Sequence, residues 1–450
     1  MMDYDTLKAR GLFEERLPRY TSYPPAPAFH TGVGADFQAH ALQKLPRDQP
    51  VSVYLHIPFC QRLCWFCACR TQGVRSLSPV DAYIDTLEAE LQIVSHLLPG
   101  RLPLGQMHWG GGTPTILPGG LVKRLTDALQ QVFYMSEDTE FSVEIDPTLI
   151  DTDKVTALSA AGMTRASIGV QDFEPKVQDC IGRQQSFDQT SQAVEMLRVA
   201  GIGSLNIDLV YGLPHQTLAG FERTLQQVNA LKPDRVALFG YAHVPHMAKR
   251  QLLIPEAALP DDRGRFSLFR KATEAFEKDG MISIGIDHFA RPSDSMARAA
   301  ANGLLRRNFQ GYTVDSAPSL LGLGASSISR FTEGFVQNTP QTGAYTKAIR
   351  AGHLPGVRGY ALTDEDRLRS RIIEMLMCDF AIDLDELALT PAQEKMLGPC
   401  FDALKMECGD MLQHTGGMLV MAARARPLVR RLAHLFDTFN GLNAGYSRVS

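Results

Sequence analysis

The chain alternates between short apolar runs and longer amphipathic segments, separated by turns rich in glycine and proline. Short apolar runs bounded by turn residues are typical of buried strands, and the amphipathic segments between them are typical of helices packed on a parallel sheet. The pattern predicts at least six strand–helix units. The predicted strands span residues 51–57, 106–109, 140–145, 165–170, 204–209 and 235–239, with a further strand near 283–286.

The segments between these strands carry the 3.6-residue periodicity of helices, and they predict helices at 78–98, 187–200 and 217–231. Ser78 and Pro79 are predicted to supply the N-cap and the first helical residue of the first of these. In a parallel α/β barrel, strands and crossover helices alternate in this way. The fold class expected from the pattern is therefore α/β with a parallel sheet.

The C-terminal third departs from this rhythm. Thr363 followed by Asp366 predicts a capped helix running to about residue 380. Residues 411–439 predict a strand, a Gly416–Gly417 turn, a second strand and a helix, which together have a winged-helix outline. This last part carries four arginines, at Arg424, Arg426, Arg430 and Arg431. A nucleic-acid role is conceivable, but a packing domain whose basic face is merely solvated is the simpler interpretation.

Composition narrows the class of protein. A chain of 450 residues that is 44% hydrophobic and 21% charged can bury a large core and should hold more than one domain. Its formal net charge of -4 makes nucleic acid an unlikely general partner. The N-terminus has no basic leader, and no apolar run reaches membrane-spanning length. Together with clustered cysteines, these features predict a cytoplasmic protein without a membrane anchor or disulfide framework.

Cys60, Cys64 and Cys67 form a C-x3-C-x2-C run directly after the first predicted strand. Three thiolates on a [4Fe–4S] cluster leave one iron open to bind a substrate or cofactor. Cys69 lies one residue beyond the run, and we interpret it as close to the cluster but not a ligand. Zinc fits less well, because no second cysteine pair or histidine pair follows at finger spacing. The other four cysteines, at 180, 378, 400 and 408, are expected to be core thiols.

Polar residues follow the predicted strands at the edge where the active site of a parallel barrel gathers. Gly110, Gly111 and Gly112 follow the second strand, and a triple glycine lets a ligand approach bare backbone N–H groups. Glu144 at the third strand and Asp208 at the fifth can accept hydrogen bonds from an amine or a ribose. Taken singly, each carboxylate is more simply explained as a solvated loop residue. A binding role is inferred only because both are predicted at the same edge of the sheet.

The cysteine run, the Gly-Gly-Gly-Thr-Pro turn and the position of Glu144 resemble the radical S-adenosylmethionine superfamily. Further motifs resemble, more narrowly, the oxygen-independent coproporphyrinogen III oxidases. These motifs lie at residues 19–24, 54–60, 108–114, 169–172, 206–209, 287–292 and 308–312. The match runs nearly end to end and is densest as far as about residue 329.

The resemblance implies a partial (β/α)6 barrel at residues 49–330, an N-terminal extension over its mouth at 1–48 and a small, mainly helical C-terminal domain at 331–450. It implies that Cys60, Cys64 and Cys67 ligate the cluster and that S-adenosylmethionine chelates the open iron. By motif position, two S-adenosylmethionine molecules would be lined by Tyr54, Phe66, Gly111, Gly112, Thr113, Glu144, Gln171, Arg183, Asp208, Ala242 and Ile328.

The activity implied is the oxidative decarboxylation of two propionate side chains of coproporphyrinogen III to vinyl groups. A 5′-deoxyadenosyl radical would take a hydrogen atom from each propionate, and the substrate radical would then lose an electron and carbon dioxide. The product, protoporphyrinogen IX, belongs to haem synthesis at low oxygen. The implied partners are this substrate, a reductant protein and an electron acceptor, and the chain is expected to be a monomer.

A substrate with four carboxylates requires local cations in a slightly acidic protein. The candidates are Arg19, His288, Arg291, Arg306 and Arg307. Haem-chaperone-like paralogues share the cluster loop but carry an aromatic residue at position 69 and lack the N-terminal extension, so both features favour the oxidases. Cys69 is assigned a catalytic role. Two alternatives stay open: a radical enzyme that methylates haem or opens its ring, and a non-enzymatic carrier of haem.

Overall fold

The first predicted strand lies in the middle of a 12-stranded sheet in the computed structural model, which describes residues 2–439. The strands, in chain order, are β1 (Val51–Ile57), β2 (Phe59–Cys60), β3 (Gln72–Gly73), β4 (Leu102–Gly111), β5 (Phe133–Ile145), β6 (Arg165–Gln171), β7 (Ser204–Tyr211), β8 (Arg235–Gly240), β9 (Ile282–Ile284), β10 (His288–Ala290), β11 (Arg306–Asn308), β12 (Gly311–Thr313), β13 (Ser319–Leu323), β14 (Ile328–Phe331), β15 (Gly334–Asn338), β16 (Gly356–Ala361), β17 (Ala381–Asp383), β18 (Leu412–Thr415) and β19 (Met418–Met421).

Helices cover the outer face of this sheet and build the C-terminal region. In chain order they are α1 (Tyr4–Ala9), α2 (Ala35–Gln43), α3 (Ser78–Leu97), α4 (Gly119–Val132), α5 (Thr152–Ala160), α6 (Pro175–Ile181), α7 (Phe187–Val199), α8 (Leu218–Ala230), α9 (Asp262–Lys278), α10 (Ser295–Ala301), α11 (Thr342–Arg350), α12 (Asp364–Asp379), α13 (Leu384–Leu387), α14 (Pro391–Cys408) and α15 (Val429–His434). In this part of the chain, no helix has the length and apolar character needed to cross a membrane.

Six consecutive strands, β1 and β4 to β8, pair side by side in parallel, which confirms the predicted (β/α)6 order. β13 joins the other side of β1, also in parallel. Antiparallel strands then extend the sheet at both ends, from β14 to β16 on one side and β10 with β9 on the other. Since β16 and β9 do not pair with each other, the barrel is partial, as the resemblance implies.

Two strands are longer than their apolar runs. β4 begins at Leu102 and β5 at Phe133, because these two residues pair with each other before either run starts. The register of β4 with β5 shifts within the polar stretch, because Leu104 pairs with Met135 and Gln106 pairs with Glu140, so the pairing resumes only at the predicted apolar run. β9 covers part of the predicted 283–286 segment and runs antiparallel to β10, so it extends the sheet without adding a barrel strand.

The long helices follow the predicted periodicity. The α3 helix buries Ile84, Leu87 and Leu91 against the sheet. Its predicted cap is wrong, because Leu77 holds the N-cap position and Ser78 is already helical, without a side-chain capping bond. The predicted cap of α12 is confirmed, since Thr363 and Asp366 form a reciprocal capping box.

The N-terminal segment packs against the C-terminal region in a second hydrophobic core. Leu7, Phe13 and Tyr20 from the N-terminal segment are buried there with residues of α12, α14 and α15. Arg430 is only 6% exposed, and its guanidinium donates hydrogen bonds to the carbonyls of Leu17 and Pro18. The expectation of a merely solvated basic face is therefore wrong at this position.

Arg431 behaves in the same way, because it donates to the carbonyl of Arg10 and to Glu407. The strand, Gly416 turn, strand and helix predicted for the C-terminal region are present as β18, β19 and α15. The limits drawn between domains stay predictions. The main sheet itself continues beyond residue 330, through β15 and β16, and residues 440–450 of the predicted third domain lie outside the described residues.

Candidate active site

The cysteine loop leaves β1 and reaches across to α6, where the amide of Trp65 bonds the carbonyl of Ile181 at 2.8 Å. Cys60 and Cys64 are buried and Cys67 is half-buried. Each of the three sulfurs accepts a hydrogen bond from the protein. The donors are Thr113 Oγ1 to Cys60 at 3.4 Å, Arg183 Nη1 to Cys64 at 3.5 Å and the Cys69 amide to Cys67 at 3.4 Å.

These three sulfurs fit an iron–sulfur cluster. Donors to the sulfurs are the interactions by which proteins orient cluster thiolates and tune them. Burial raises the pKa of Cys60 to about 11, so a thiolate at this position requires the positive charge of bound iron. Within residues 2–439, no three His, Cys, Asp or Glu side chains converge on a single ion, and a cubane requires none, because each cysteine binds a separate iron.

Cys69 lies beside the cluster ligands through its contact with Cys67. A hydrogen bond from the Cys69 side chain is the main reason that the pKa of Cys67 is lowered. The carbonyl of Cys69 accepts a hydrogen bond from Arg250 at 3.1 Å, which anchors the end of the loop to the segment after β8. The position agrees with a residue that adjoins the ligand set, and its catalytic role stays a prediction.

The glycine turn after β4 packs closely under the cysteine loop. A Cβ at Gly112 would lie 2.6 Å from the carbonyl oxygen of Phe59, and a Cβ at Gly111 would collide with the ring of His56. The N–H groups of this turn are already used: Gly111 bonds Glu144, Gly112 bonds Ile57 and Thr113 bonds Phe59. The expectation of bare N–H groups is therefore wrong, and the glycines are needed for close approach.

Alternate residues of the parallel strands form a polar row inside the barrel, because strand side chains alternate between faces. Tyr54 stacks on His108, with ring centroids 5.9 Å apart, and bonds His56 at 3.0 Å. His108 in turn contacts Ser142 and lies 3.5 Å from Glu144 Oε1. The Glu144 side chain is 41% exposed, so its carboxylate can still accept hydrogen bonds from a ligand.

The row continues on β6 and β7. Asp208 accepts hydrogen bonds from Asn206 at 2.7 Å and from Ser167 at 3.1 Å. Burial, together with the negative charge of Glu144, raises the pKa of Asp208 to about 6. Two carboxyl groups that influence each other in this way, in a shared interior, suit a ligand that brings its own positive charge.

Arg183 and Gln171 lie between this row and the cysteine loop. Arg183 donates to the carbonyl of Gly169 at 2.8 Å and to Cys64, and its Nη1 lies 3.8 Å from Asp146. Its Nε is buried without a partner among the described residues. Gln171 ends β6 with a left-handed φ of 69°, which sets its side chain at the rim.

The remaining predicted cofactor residues reach the same rim from three elements. Gln251 donates to the carbonyl of Phe66 at 2.7 Å and to that of Ala242 at 3.1 Å, so it joins the cysteine loop to the end of β8. Ile328 begins β14 just after the turn that leaves β13. The structure thus brings all eleven predicted residues to the carboxyl end of the sheet or its interior.

The predicted substrate residues divide into two groups. Arg19 and His288 line a cavity of about 1090 Å³ between the barrel, the N-terminal segment and the C-terminal region, together with Asp287, which was not among the predicted residues. His288 bonds Asp287 at 2.7 Å. Burial opposes ionisation of Asp287, but the charges of His288, Arg307 and Arg19 outweigh it and lower its pKa to about 2.

Arg307 is buried and donates to the carbonyls of Arg19 and Tyr20, while its Nη1 has no partner among the described residues. Arg306 precedes Arg307 on β11 and therefore points to the opposite face of the strand from Arg307, where it lies near Asp379. Arg291 bonds the carbonyl of Pro233 and pairs with Asp279 at 2.5 Å, at the amino end of β8. The structure therefore does not bring Arg291 to the rim with the other candidates.

Sequence reasoning assigned no role to His56, His108, Asn206 and Ser167, although all four lie in the polar row. Each is two residues from a predicted site residue or faces one on the next strand. Period-two alternation around Tyr54, Glu144 and Asp208 is the signal that predicts them. Arg250 and Gln251 had no such signal, because they act from an irregular segment.

Comparisons with known proteins agree with this geometry. The family model of the radical SAM superfamily matches residues 54–228. A protein named oxygen-independent coproporphyrinogen III oxidase in Cereibacter sphaeroides is 52% identical over 452 aligned residues, with 100% of both chains covered. One of the same name in Paracoccus denitrificans is 50% identical and covers 99% of each chain. The solved coproporphyrinogen III oxidase of Escherichia coli is 35% identical with a TM-score of 0.88, covering 94% of this chain and all of that one.

A partial parallel barrel with a three-cysteine loop at its carboxyl end defines a radical S-adenosylmethionine enzyme, an oxidoreductase that uses a [4Fe–4S] cluster and S-adenosylmethionine. Identity of about half over the whole length places it more narrowly. The chain belongs to the oxygen-independent coproporphyrinogen III oxidase family.

Proposed function

We propose that this enzyme decarboxylates two propionate side chains of coproporphyrinogen III to vinyl groups, giving protoporphyrinogen IX in haem biosynthesis. The observation that carries the proposal is the large cavity at the carboxyl end of β8, lined by Arg19, Asp287 and His288 and bordered by the N-terminal segment. Relatives that bear this activity in their names match the chain over its full length, including that segment. We further propose that the substrate and an unidentified reductant protein are the partners.

The cysteine loop holds the cofactor that starts the reaction. When bound, the reduced [4Fe–4S] cluster supplies the electron that cleaves S-adenosylmethionine into methionine and a 5′-deoxyadenosyl radical. Cys60, Cys64 and Cys67 would hold three irons, and Thr113 and Arg183 orient two of the sulfurs. The glycine turn fixes Thr113 in place, because it fits under the loop only without side chains.

The polar row would hold S-adenosylmethionine. Glu144 has a partly exposed carboxylate close to the loop, which suits the methionine amine. Asp208 and Arg183, with Gln171, Phe66, Ala242 and Ile328, would line the site of a second molecule. Two molecules match two successive decarboxylations, and the barrel keeps water away from the radical.

The cavity would hold the tetrapyrrole through its carboxylates. His288 lines this cavity and is held in orientation by Asp287. Arg307 lies outside the cavity lining, and its buried Nη1 has no partner among the described residues. Arg19 donates to the carbonyl of Gly240 at 2.9 Å, which places it at the end of β8. Arg19 and His288 form the proposed anchor for propionates, and Arg307 supports it by donating to the Arg19 carbonyl. We leave Arg291 and Arg306 out of this anchor. The cytoplasmic location and the monomeric state stay predictions.

An anaerobic assay tests the proposal. The cluster-reconstituted enzyme is given S-adenosylmethionine, dithionite and coproporphyrinogen III, and 5′-deoxyadenosine and protoporphyrin fluorescence after oxidation are followed. We expect both products, with two 5′-deoxyadenosine molecules for each protoporphyrin. Deoxyadenosine without protoporphyrin would move the substrate to haem or another porphyrin. Neither product, together with tight haem binding, would favour a carrier.

A further inference from the structure

Two segments beside the cluster carry cations without carboxylates. Residues 60–76, the cysteine loop and its exit, hold three arginines, and residues 242–255, after β8, hold Lys249, Arg250 and two histidines. Neither segment contains Asp or Glu, although the whole chain has a formal net charge of -4. The basic charge is therefore concentrated next to the cluster loop.

These two segments form one continuous surface. Arg250 donates to the carbonyl of Cys69 at 3.1 Å and to Thr71 Oγ1 at 3.0 Å. Gln251 is 1% exposed and donates to the carbonyl of Phe66 at 2.7 Å. We call the exposed side of this junction the cluster face, and define it by Arg70, Arg75, Met247, Lys249, Leu252 and Leu253.

The cluster face is also apolar to an unusual degree. Met247, Leu252 and Leu253 are 66%, 71% and 58% exposed, while the flanking residues Gln251 and Ile254 are buried and anchor the turn. Exposed apolar side chains in the same segment as Lys249 and Arg250 are typical of a protein docking site. None of these three residues lines the large cavity, whose lining from this segment ends at His246. The cavity therefore does not account for their exposure.

We propose that the cluster face docks a small, acidic one-electron carrier protein, which reduces the cluster; this rests on the proposed function, because only a radical enzyme requires that electron. One electron leaves the carrier, which is oxidised, and enters the cluster, and no atom is transferred. Basic charge complements an acidic carrier and increases the rate of encounter, and the leucines supply the apolar contact typical of a transient complex.

The test compares charge-reversed variants in binding and in turnover. The probe is a purified, strongly acidic flavodoxin, whose binding to the cluster-reconstituted enzyme is measured by calorimetry at low and high salt. The variant is Arg75→Glu with Lys249→Glu. The control is Lys395→Glu with Lys405→Glu on α14, which makes the same charge change in the C-terminal region. We expect the variant to bind flavodoxin at least about tenfold more weakly at low salt, and the difference to shrink as salt screens the charges.

Turnover separates the carrier from the substrate. With dithionite as reductant, the variant should match the unmutated enzyme, whereas with reduced flavodoxin it should be slower and the control unchanged. Equal flavodoxin binding by the variant, or no salt-dependent binding by the unmutated enzyme, would overturn the proposal. An equal loss of turnover rate with dithionite would also overturn it, because the face would then serve the substrate. Self-association of the enzyme that the variant abolishes would overturn it too, because the face would then bind a second copy of this chain.

The proposed function can fail separately. If dithionite drives deoxyadenosine formation but coproporphyrinogen is not converted, the substrate assignment is wrong, and the docking result keeps its meaning.

Discussion

Glu90 offers the sharpest test of the energetics inside this fold. It lies on α3, is 1% exposed and accepts three hydrogen bonds, from Tyr345 at 2.7 Å, the amide of Gly324 at 2.7 Å and Asn338 at 3.0 Å. All three partners are neutral donors. Burial outweighs them and raises the pKa of Glu90 from 4.5 to about 7.

The direction of the pH effect follows from that shift. A folded-state pKa above the unfolded value means that the folded protein binds the proton more tightly. The stabilisation is present below pH 4.5 and is lost as the pH rises through about 7. A shift of this size corresponds to roughly 3 kcal/mol of unfolding free energy.

Replacing Glu90 by Gln removes the titration and keeps the shape. Between pH 4.5 and about 7, the unmutated protein should lose roughly 3 kcal/mol relative to Glu90→Gln, on top of a pH-independent offset of about 1–3 kcal/mol from one mismatched donor. Urea unfolding of the cluster-free proteins, followed by the fluorescence of buried Trp109, measures this difference at each pH.

Glu88→Gln is the matched control, because Glu88 lies on the same helix but pairs with Arg124 at the surface. If the free energies of unfolding of Glu90→Gln and of the unmutated protein change with pH by the same amount, the hydrogen bonds outweigh burial and the pKa of Glu90 is not raised.

Three further predictions concern the site. Cys69→Ser should keep the cluster, measured as bound iron, and lower turnover; an unchanged rate or a lost cluster contradicts one half of this. Affinity for S-adenosylmethionine should fall as the pH drops below about 6, because Asp208 then becomes protonated, and Asp208→Asn should bind weakly without that pH dependence. A pH profile shared by both proteins would refute the role of Asp208. Gly112→Ala should contain less bound iron than the unmutated protein, because its Cβ would lie 2.6 Å from the Phe59 carbonyl oxygen. The control Gly120→Ala on α4 should keep its iron, because a Cβ there meets nothing within 4 Å. Equal iron content in the two variants would show that the turn tolerates a side chain.

Much of the fold follows from local patterns in the sequence. Parallel strands that are buried on both faces consist of nearly continuous apolar residues. For this reason β1 and β6 to β8 begin at the residues that the sequence predicts. The cysteine spacing and the glycine turn are also local, since a few consecutive residues specify them. The location of the candidate site could also be predicted from the sequence, because parallel strands place their carboxyl ends at one edge of the sheet.

The rest depended on contacts between residues far apart in the chain. No local pattern shows that Arg430 would hold the carbonyls of Leu17 and Pro18, more than 400 residues away, or that Arg307 would hold Arg19. The same is true of the donors that surround Glu90. A buried polar group must be satisfied, but which partner satisfies it is decided only when the elements pack.

The order of strands, the cysteine loop and the class of chemistry follow from short periodic segments and residue spacings in the sequence. Only the packed structure shows that the N–H groups of Gly111, Gly112 and Thr113 already have partners and that Arg291 lies at the other end of the sheet. It also shows that the basic segment around Arg250 contacts the cysteine loop. Each of these depends on which surfaces pack against each other, and no single segment of the sequence specifies those contacts.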